Sequence, residues 1–166
     1  MALLVDTLKF EPGQIEGVLV REIRKLVDER GWLAEIFRQD DLATEYHPVM
    51  AYVSMSLPGV TRGPHMHFDQ SDLFAFIGSS DFKINIWDTR RASPTYGREM
   101  SILAGENQLF MILIPKGLVH AYKNIGEKPG LVMNSPNRLY AGQGKQETID
   151  EVRYEDQLGH PFLFDK

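Results

Sequence analysis

Apolar and polar residues alternate along much of this chain in short runs, and residues that favour turns separate the runs. From Val49 to Leu57 every second residue is apolar, which is the pattern of a half-buried β-strand. Comparable apolar runs predict the further strands Ile15–Arg24, Trp32–Arg38, Leu73–Ile77, Phe82–Trp87, Leu109–Ile114, Leu118–Ile125 and Gly130–Ser135. The chain is therefore predicted to consist mainly of short strands.

Turn residues between the runs limit the length of each strand. Pro58-Gly59 and Pro115–Gly117 predict tight turns, and Gly78–Asp81 has the spacing of a hairpin connection. Only Val27–Glu29 and Gln39–Thr44 favour a short helix. About eight to eleven short strands with regular turns indicate an antiparallel sandwich or barrel, of which the jelly roll is the leading case.

Composition and charge exclude several classes of protein. The 166 residues are 43% hydrophobic and 25% charged, which is typical of one globular domain spanning residues 1–166. The formal net charge of -5 argues against nucleic acid as the main partner, because phosphate binding favours a basic surface. The absence of cysteine rules out disulfides and thiolate metal ligands, and it fits a cytoplasmic location. Met1–Asp6 lacks the start of a signal peptide, and no segment has the length of a membrane span.

Two motifs carry the candidate chemistry. Gly59–Asp72 reads G-x5-H-x-H-x4-D, and Pro115–Asn124 reads P-x-G-x2-H-x3-N. They are similar to the two halves of the cupin signature, with an Asp where cupins more often have Glu. Two histidines at i and i+2 on a strand point to one face, so they could converge with side chains from neighbouring strands. We therefore expect an all-β, antiparallel cupin-type double-stranded β-helix, which is a jelly roll.

The same motifs supply a candidate metal site. His65, His67, Asp72 and His120 form a set of three histidines and one carboxylate, which suits Zn²⁺, Fe²⁺, Ni²⁺ or Mn²⁺. Other interpretations stay open at this point. His67 could lie beside the site without binding a metal. His120 could be a hydrogen-bond partner of His65 instead of a ligand, and Asp72 could be a solvated loop carboxylate.

Two further stretches, together with the start of the first motif, point to one family. Asp28–Phe37 resembles the motif D-x-R-G-x-F-x-E-x-F, Gly59–His65 resembles G-V-x-R-G-x-H, and Asp88–Gly97 resembles D-x-R-x-x-S-P-T-F-G. These are motifs of the dTDP-4-dehydrorhamnose 3,5-epimerases, and the resemblance extends over roughly Ile15–Asp156. Arg90, inside the third motif, is interpreted as half of a structural ion pair with Asp88.

The resemblance implies a homodimeric jelly roll that epimerises a nucleotide-linked 4-ketosugar without a cofactor. A base removes the acidic proton next to the ketone, an acid returns a proton on the opposite face, and a donor stabilises the enolate. By motif match, His65 is the base and Tyr140 is the acid. Arg62 contacts the diphosphate, and Arg30 and Glu35 reach the nucleotide in this subunit's site or in a neighbour's.

The chain also departs from that family. The family has Lys at the position of Asp72 and Gln at the position of His67, and both changes favour a metal site. A bare carboxylate has the wrong sign to stabilise an enolate. The alternatives are therefore a metal-dependent cupin enzyme, an isomerase or dioxygenase on another small polar substrate, and a non-catalytic sugar-binding cupin.

Two details of the family pattern are not matched. Met50 and Tyr52 replace residues that usually carry amides in the strand that recognises the base, which puts thymine specificity in doubt. The carboxylate that orients the family's catalytic histidine is near its C-terminus. Asp156 and Asp165 are candidates for that role, and the divergent tail assigns neither.

Overall fold

The computed structural model describes residues 9–164, so the predictions for Met1–Asp6 and for Asp165 lie outside the described residues. In that part of the chain the regular structure is β-strand together with three short 3₁₀ turns. No helix of residues 9–164 is long and apolar enough to cross a membrane.

The strands form two main sheets and one hairpin, and they are numbered here in chain order. The six-stranded sheet has the order β1 (Glu11–Pro12), β9 (Arg98–Gly105), β8 (Asp81–Asp88), β11 (Leu118–Asn124), β6 (Thr61–Met66) and β13 (Val152–Arg153). The five-stranded sheet has the order β2 (Leu19–Glu22), β10 (Phe110–Ile114), β7 (Asp72–Phe76), β12 (Gly130–Asn134) and β5 (Tyr52–Ser56). The hairpin consists of β3 (Leu26–Asp28) and β4 (Gly31–Leu33). All pairs are antiparallel except β1 with β9.

The two main sheets pack face to face around an apolar core. Phe74 and Phe76 of the five-stranded sheet lie in one buried cluster with Ile84 and Tyr122 of the six-stranded sheet. Side chains alternate between the two faces of a strand, so one residue in two along each strand enters this core. The antiparallel jelly roll predicted from the motifs is confirmed.

Coil segments rather than helices cover the outer faces. On the five-stranded sheet, Ile36 and Phe37 pack against the buried residues Leu73 and Met111. On the six-stranded sheet, Phe162 from the C-terminal tail is 1% exposed and packs against a buried cluster that includes Trp87. The tail therefore folds back on the barrel.

Several sequence predictions need correction. The helix predicted at Val27–Glu29 is wrong, because Leu26–Asp28 pairs with Gly31–Leu33 across a turn in which Gly31 has a φ of 128°. The strand predicted over Trp32–Arg38 ends at Leu33, since the residues that follow pack their side chains on the sheet without pairing their backbone. The short helix predicted for Gln39–Thr44 is found in part, as a 3₁₀ turn at Gln39–Asp41 that ends at the extended residue Leu42.

Candidate active site

Three histidines meet on the inner face of the barrel. His65 lies on β6 directly opposite His120 on β11, and His67 follows the end of β6 on the same face as His65. The ring centroids of His65 and His120 are 4.5 Å apart, and those of His65 and His67 are 5.5 Å apart. One nitrogen from each of the three rings lies within 4.8 Å of the others. The paired strands bring the two motifs together.

The fourth residue of the predicted set, Asp72, begins β7 in the opposite sheet and faces the histidines. Asp72 is 1% exposed, which excludes a solvated loop residue. Oδ1 accepts hydrogen bonds from the amides of Gln70 and Asn134, each at 2.8 Å. Oδ2 lies 3.5 Å from Nε2 of His67 and 3.4 Å from Nε2 of His120.

Backbone carbonyls determine the tautomers of two rings. Nδ1 of His120 lies 3.1 Å from the carbonyl of Leu118, and Nδ1 of His67 contacts the carbonyl of Asp150. A carbonyl only accepts hydrogen bonds, so both Nδ1 atoms carry a proton. Burial lowers the pKa of His120, which favours the neutral ring. Its Nε2 is buried without a hydrogen-bond partner, so a lone pair points towards Asp72.

His65 lines a large cavity, as His67 also does, but unlike His67 and His120 it has no hydrogen-bond partner among residues 9–164. Burial, followed by the neighbouring charges of His120, His67 and Arg153, lowers the pKa of His65 to about 2. The ring is therefore neutral at physiological pH, which is the form that can accept a proton.

Gly63 makes room for that ring. A Cβ at this position would lie 2.7 Å from the carbonyl oxygen of His120 and 3.1 Å from Nδ1 of His65. The residue also has a φ of 86°, where side chains are rarely tolerated. The glycine of the G-x-H part of the motif is thus required by close packing behind the candidate base.

A cavity of about 820 Å³ opens beside the histidines, between the sheets and the C-terminal tail. Arg62, His65, Tyr140 and Tyr52 line it, and so does much of the segment from residue 138 to residue 156. Asp72 and His120 lie behind this lining rather than in it. Its size is that of a pocket for a small organic ligand.

Two of the predicted substrate contacts share this cavity with His65. The Arg62 guanidinium is held in place, since Nε donates to Oγ of Ser56 at 2.9 Å and Nη2 donates to the carbonyl of Met55 at 2.8 Å. Tyr140 lies on the loop after β12, and its side chain is half exposed. The structure therefore brings together the residues matched to the base, the acid and the phosphate contact.

The other predicted nucleotide contacts lie elsewhere. Arg30, on the β3–β4 hairpin, pairs with Asp28 at 2.5 Å and is largely exposed, and Glu35 lies 3.5 Å from Arg38. Neither residue lines the cavity of its own chain. The carboxylate expected to orient His65 is not found among the described residues. Asp156 lines the cavity, but it pairs with Arg153 at 2.8 Å.

The motifs did not reveal two residues that organise the site. Asp150 accepts backbone N–H bonds from Phe68, Asp69 and Gln70 at 2.8–2.9 Å, and its own carbonyl contacts His67. Burial acts to raise the pKa of Asp150, but these backbone bonds lower it. Asp150 thus attaches the tail to the loop that precedes Asp72.

The second such residue is Asn134, at the end of β12. Its Nδ2 donates to Oδ1 of Asp72 at 2.8 Å and to the Tyr52 hydroxyl oxygen at 2.9 Å. The alternation along the predicted strand Gly130–Ser135 does place residue 134 on the same face as Val132, which is in the core. No pattern in the sequence indicates that its amide donates hydrogen bonds to Asp72 and Tyr52.

Fold and site together define a cupin-type jelly roll with a histidine-lined cavity on the inner face of its strands. Comparison with known proteins then identifies the family. The model of the dTDP-4-dehydrorhamnose 3,5-epimerase family matches residues 12–157, and the chain belongs to that family. The membership makes it an isomerase-class enzyme, a sugar-nucleotide epimerase, as the resemblance in the motifs predicted.

Relatives from distant organisms agree with this assignment. The chain is 39% identical over 127 residues to a probable low-salt glycan biosynthesis epimerase of Haloferax volcanii, covering 76% of this chain and 81% of the relative. It is 37% identical over 115 residues to a spore coat polysaccharide biosynthesis protein of Bacillus subtilis, covering 69% and 75%. The crystal structure of a dTDP sugar isomerase from Desulfovibrio desulfuricans has a similar fold, with a TM-score of 0.76 at 24% identity over 98% of this chain and 94% of the other.

Proposed function

We propose that this enzyme epimerises a nucleotide-linked 4-keto-6-deoxyhexose by removing a proton from the carbon next to the ketone. The observation that carries the proposal is that His65, Arg62 and Tyr140 line the same cavity. Relatives that act in glycan and spore coat polysaccharide biosynthesis support a role in the synthesis of a cell-surface polysaccharide.

Each residue has a separate task in the reaction. The proton on carbon 3 or carbon 5 passes to His65, and the C–H electrons form a double bond to carbon 4, leaving a negative charge on the ketone oxygen. Tyr140 returns a proton to that carbon from the opposite face; His65 then releases its proton to solvent, and Tyr140 takes one up from solvent, which restores both residues. Arg62 binds the diphosphate, because its planar guanidinium matches phosphate oxygens.

The remaining predictions complete the proposal. The chain acts as one domain, in the cytoplasm, as a homodimer in which Arg30 and Glu35 reach the nucleotide bound by the neighbouring subunit. Their exposed position, away from the cavity of their own chain, supports a contact across an interface. Family membership does not favour the alternatives of a dioxygenase or a non-catalytic binding protein.

Solvent exchange tests the reaction directly. In deuterated water, dTDP-4-keto-6-deoxyglucose should take up deuterium next to its ketone in the presence of the enzyme. His65→Asn should slow this exchange by roughly 10³-fold, because the base is gone. Tyr140→Phe should retain exchange and lose inversion, as measured by NMR. Unchanged exchange by His65→Asn would contradict the proposal.

A divalent cation also fits the histidine cluster. Oδ2 of Asp72 lies near Nε2 of both His67 and His120, and ring nitrogens of His65, His67 and His120 lie within 4.8 Å of one another. Nε2 of His120 has no hydrogen-bond partner, whereas Nε2 of His67 is 3.3 Å from the Gln70 amide nitrogen. Two atoms that bind one tetrahedral ion at about 2.1 Å lie about 3.4 Å apart, whereas a charge-assisted hydrogen bond measures about 2.8 Å. The 3.4 and 3.5 Å separations found here match the first case.

We therefore propose Zn²⁺, Fe²⁺, Ni²⁺ or Mn²⁺ as the occupant, held by His67, Asp72 and His120 with His65 at the cavity side. The bound ion would neutralise the charge of Asp72 near the reacting ketone. The carbonyls that hold Nδ1 of His67 and His120, and the amides that hold Asp72, keep these side chains oriented as ligands.

Elemental mass spectrometry on protein purified without chelator tests the metal site. We expect close to one ion per subunit in the wild type and its loss in His67→Ala. His47→Ala is the matched control, because His47 packs against Phe37 away from the cluster. Wild-type protein free of stoichiometric metal would contradict the proposed metal site.

A further inference from the structure

Any reaction through an enolate needs a hydrogen-bond donor or a positive charge at the oxygen that becomes negative. Asp72, at the position where a cation is expected from the resemblance, is buried behind the cavity lining, and an ionised carboxylate has no proton to donate. The proposed divalent ion would offset the charge of Asp72, so a hydrogen-bond donor to the enolate oxygen comes from another group that reaches the cavity.

The amide of Asn134 identifies one such group. Its Nδ2 contacts both Oδ1 of Asp72 and the hydroxyl oxygen of Tyr52. A carboxylate only accepts hydrogen bonds, so the amide must present its NH₂ side to Asp72. The same NH₂ then donates to Tyr52, whose oxygen acts as the acceptor.

This arrangement leaves the Tyr52 hydroxyl proton unused. Among residues 9–164 its oxygen has no other hydrogen-bond partner than Asn134, and its ring lines the cavity. Tyr52, Ser54 and Ser56 share the inward side of β5, so the phenol projects from a strand rather than from a loop.

We propose that Tyr52 is a catalytic residue whose hydroxyl donates a hydrogen bond to the enolate oxygen of the substrate. The inference rests on the proposed epimerase reaction and deepens it by naming the donor. Burial, with the nearby charge of Asp72, raises the pKa of Tyr52 to about 12, so the phenol keeps its proton throughout the physiological range. No proton is transferred, because the hydroxyl only shares it with the developing charge.

The other groups of the cavity fit this task less well. The Tyr122 hydroxyl lies 3.0 Å from Oγ of Ser54, whose own proton is directed at the carbonyl of Val132, so Tyr122 donates to Ser54. Arg138 and Arg153 also line the cavity, but both are paired with carboxylates. Lys145, which lines the cavity from the tail, is a rival donor.

Deuterium exchange into dTDP-4-keto-6-deoxyglucose tests the inference in the full-length enzyme. Tyr52→Phe keeps the ring and removes only the hydroxyl, and it should slow exchange by roughly 10²–10³-fold. The affinity for dTDP should stay within about threefold, since binding the nucleotide does not use the enolate donor. Tyr122→Phe is the matched control in the same cavity, and its loss should be less than a tenth of that seen for Tyr52→Phe. Thermal unfolding of each variant checks that the fold is retained.

The outcomes separate this inference from the proposed function. Exchange that survives in Tyr52→Phe but is lost in His65→Asn overturns the role of Tyr52 and leaves the epimerase reaction intact. If Lys145→Gln loses exchange while Tyr52→Phe keeps it, the enolate donor is Lys145. That result also overturns the role of Tyr52 and leaves the epimerase reaction intact. Absence of exchange in the wild type overturns the proposed function and this inference with it.

Discussion

At the scale of single residues, the site depends on keeping histidines uncharged in a confined space. His65 is surrounded by two other imidazoles and by Arg153, and a positive charge on any of these groups opposes the protonation of His65. Its ordinary pKa of about 6.5 falls to about 2 in the folded protein. Protonation is therefore far easier in the unfolded chain, which connects the site to the stability of the whole fold.

This connection gives a prediction about pH. Between pH 6.5 and 2 the unfolded state binds one more proton at His65 than the folded state, so stability falls as the pH falls. From pH 7 to pH 5 the free energy of unfolding should drop by about 2 kcal/mol through this group. Urea denaturation with EDTA present measures the drop, and His65→Asn should make it smaller. An equal drop in wild type and variant would contradict the prediction.

Motif spacing is sufficient to predict that His65, His67 and His120 share one face. Strand periodicity and strand pairing determine which side chains converge. It could not reveal the role of Tyr52. That role depends on which end of the Asn134 amide faces Asp72, and those three residues come from three different strands. The orientation of an amide is a property of its three-dimensional neighbours and leaves no pattern in the sequence.

At the scale of elements, the connection between β8 and β9 is built around one carboxylate. Asp88 is fully buried, and it accepts hydrogen bonds from Arg90, Ser93 and Thr95 at 2.6–3.0 Å. Burial acts to raise the pKa of Asp88, but these bonds lower it to about 2. The family motif in this loop is thus structural, and the ion pair predicted for Arg90 is confirmed at 2.8 Å.

Asp88→Asn should accordingly destabilise the protein by about 2–4 kcal/mol, since it leaves the Arg90 charge without its partner. Asp156→Asn is the control, because its pair with Arg153 is exposed and contributes about 1 kcal/mol or less. Urea unfolding at pH 7 compares the two variants. Equal losses would show that the loop does not depend on the buried carboxylate.

The strands were more predictable than their connections. Val49–Leu57 and Phe82–Trp87 follow apolar alternation and became β5 and β8 with small changes at their ends. β9 is absent from the predicted strands although Met100, Ile102 and Ala104 alternate along it and Gly97, with a φ of 81°, directly precedes it. The predicted strand extends past Leu33 because apolar side chains that cover a sheet from outside have the same composition as the residues of a strand.

At the scale of the whole molecule, one edge of the five-stranded sheet is unusually apolar. β5 is the last strand of that sheet, and Val53 and Met55 on its outer face are 62% and 50% exposed. Leu131 on the neighbouring β12 continues the patch. An unpaired strand edge beside exposed apolar side chains is a surface suited to a second copy of the chain.

We therefore expect Val53→Asp to convert the proposed homodimer into monomers, because it buries a charge at the interface. Leu103→Asp is the matched control, since Leu103 is equally exposed, at 63%, but lies on β9 in the other sheet. Size-exclusion chromatography with light scattering measures the mass of each variant. A dimer that persists in Val53→Asp, or dissociates only in Leu103→Asp, would place the interface elsewhere.

The position of Asp150 has a practical consequence for anyone who wishes to shorten or redesign this enzyme. The tail contributes little regular structure, with only the two residues of β13 in a sheet. Its Asp150 nevertheless holds the loop at residues 68–70 through three backbone N–H groups, and its carbonyl determines which nitrogen of His67 carries the proton. A minimal barrel trimmed to its long strands would keep the three histidines. It would lose the carbonyl that holds the proton of His67 on Nδ1 and leaves Nε2 free to accept.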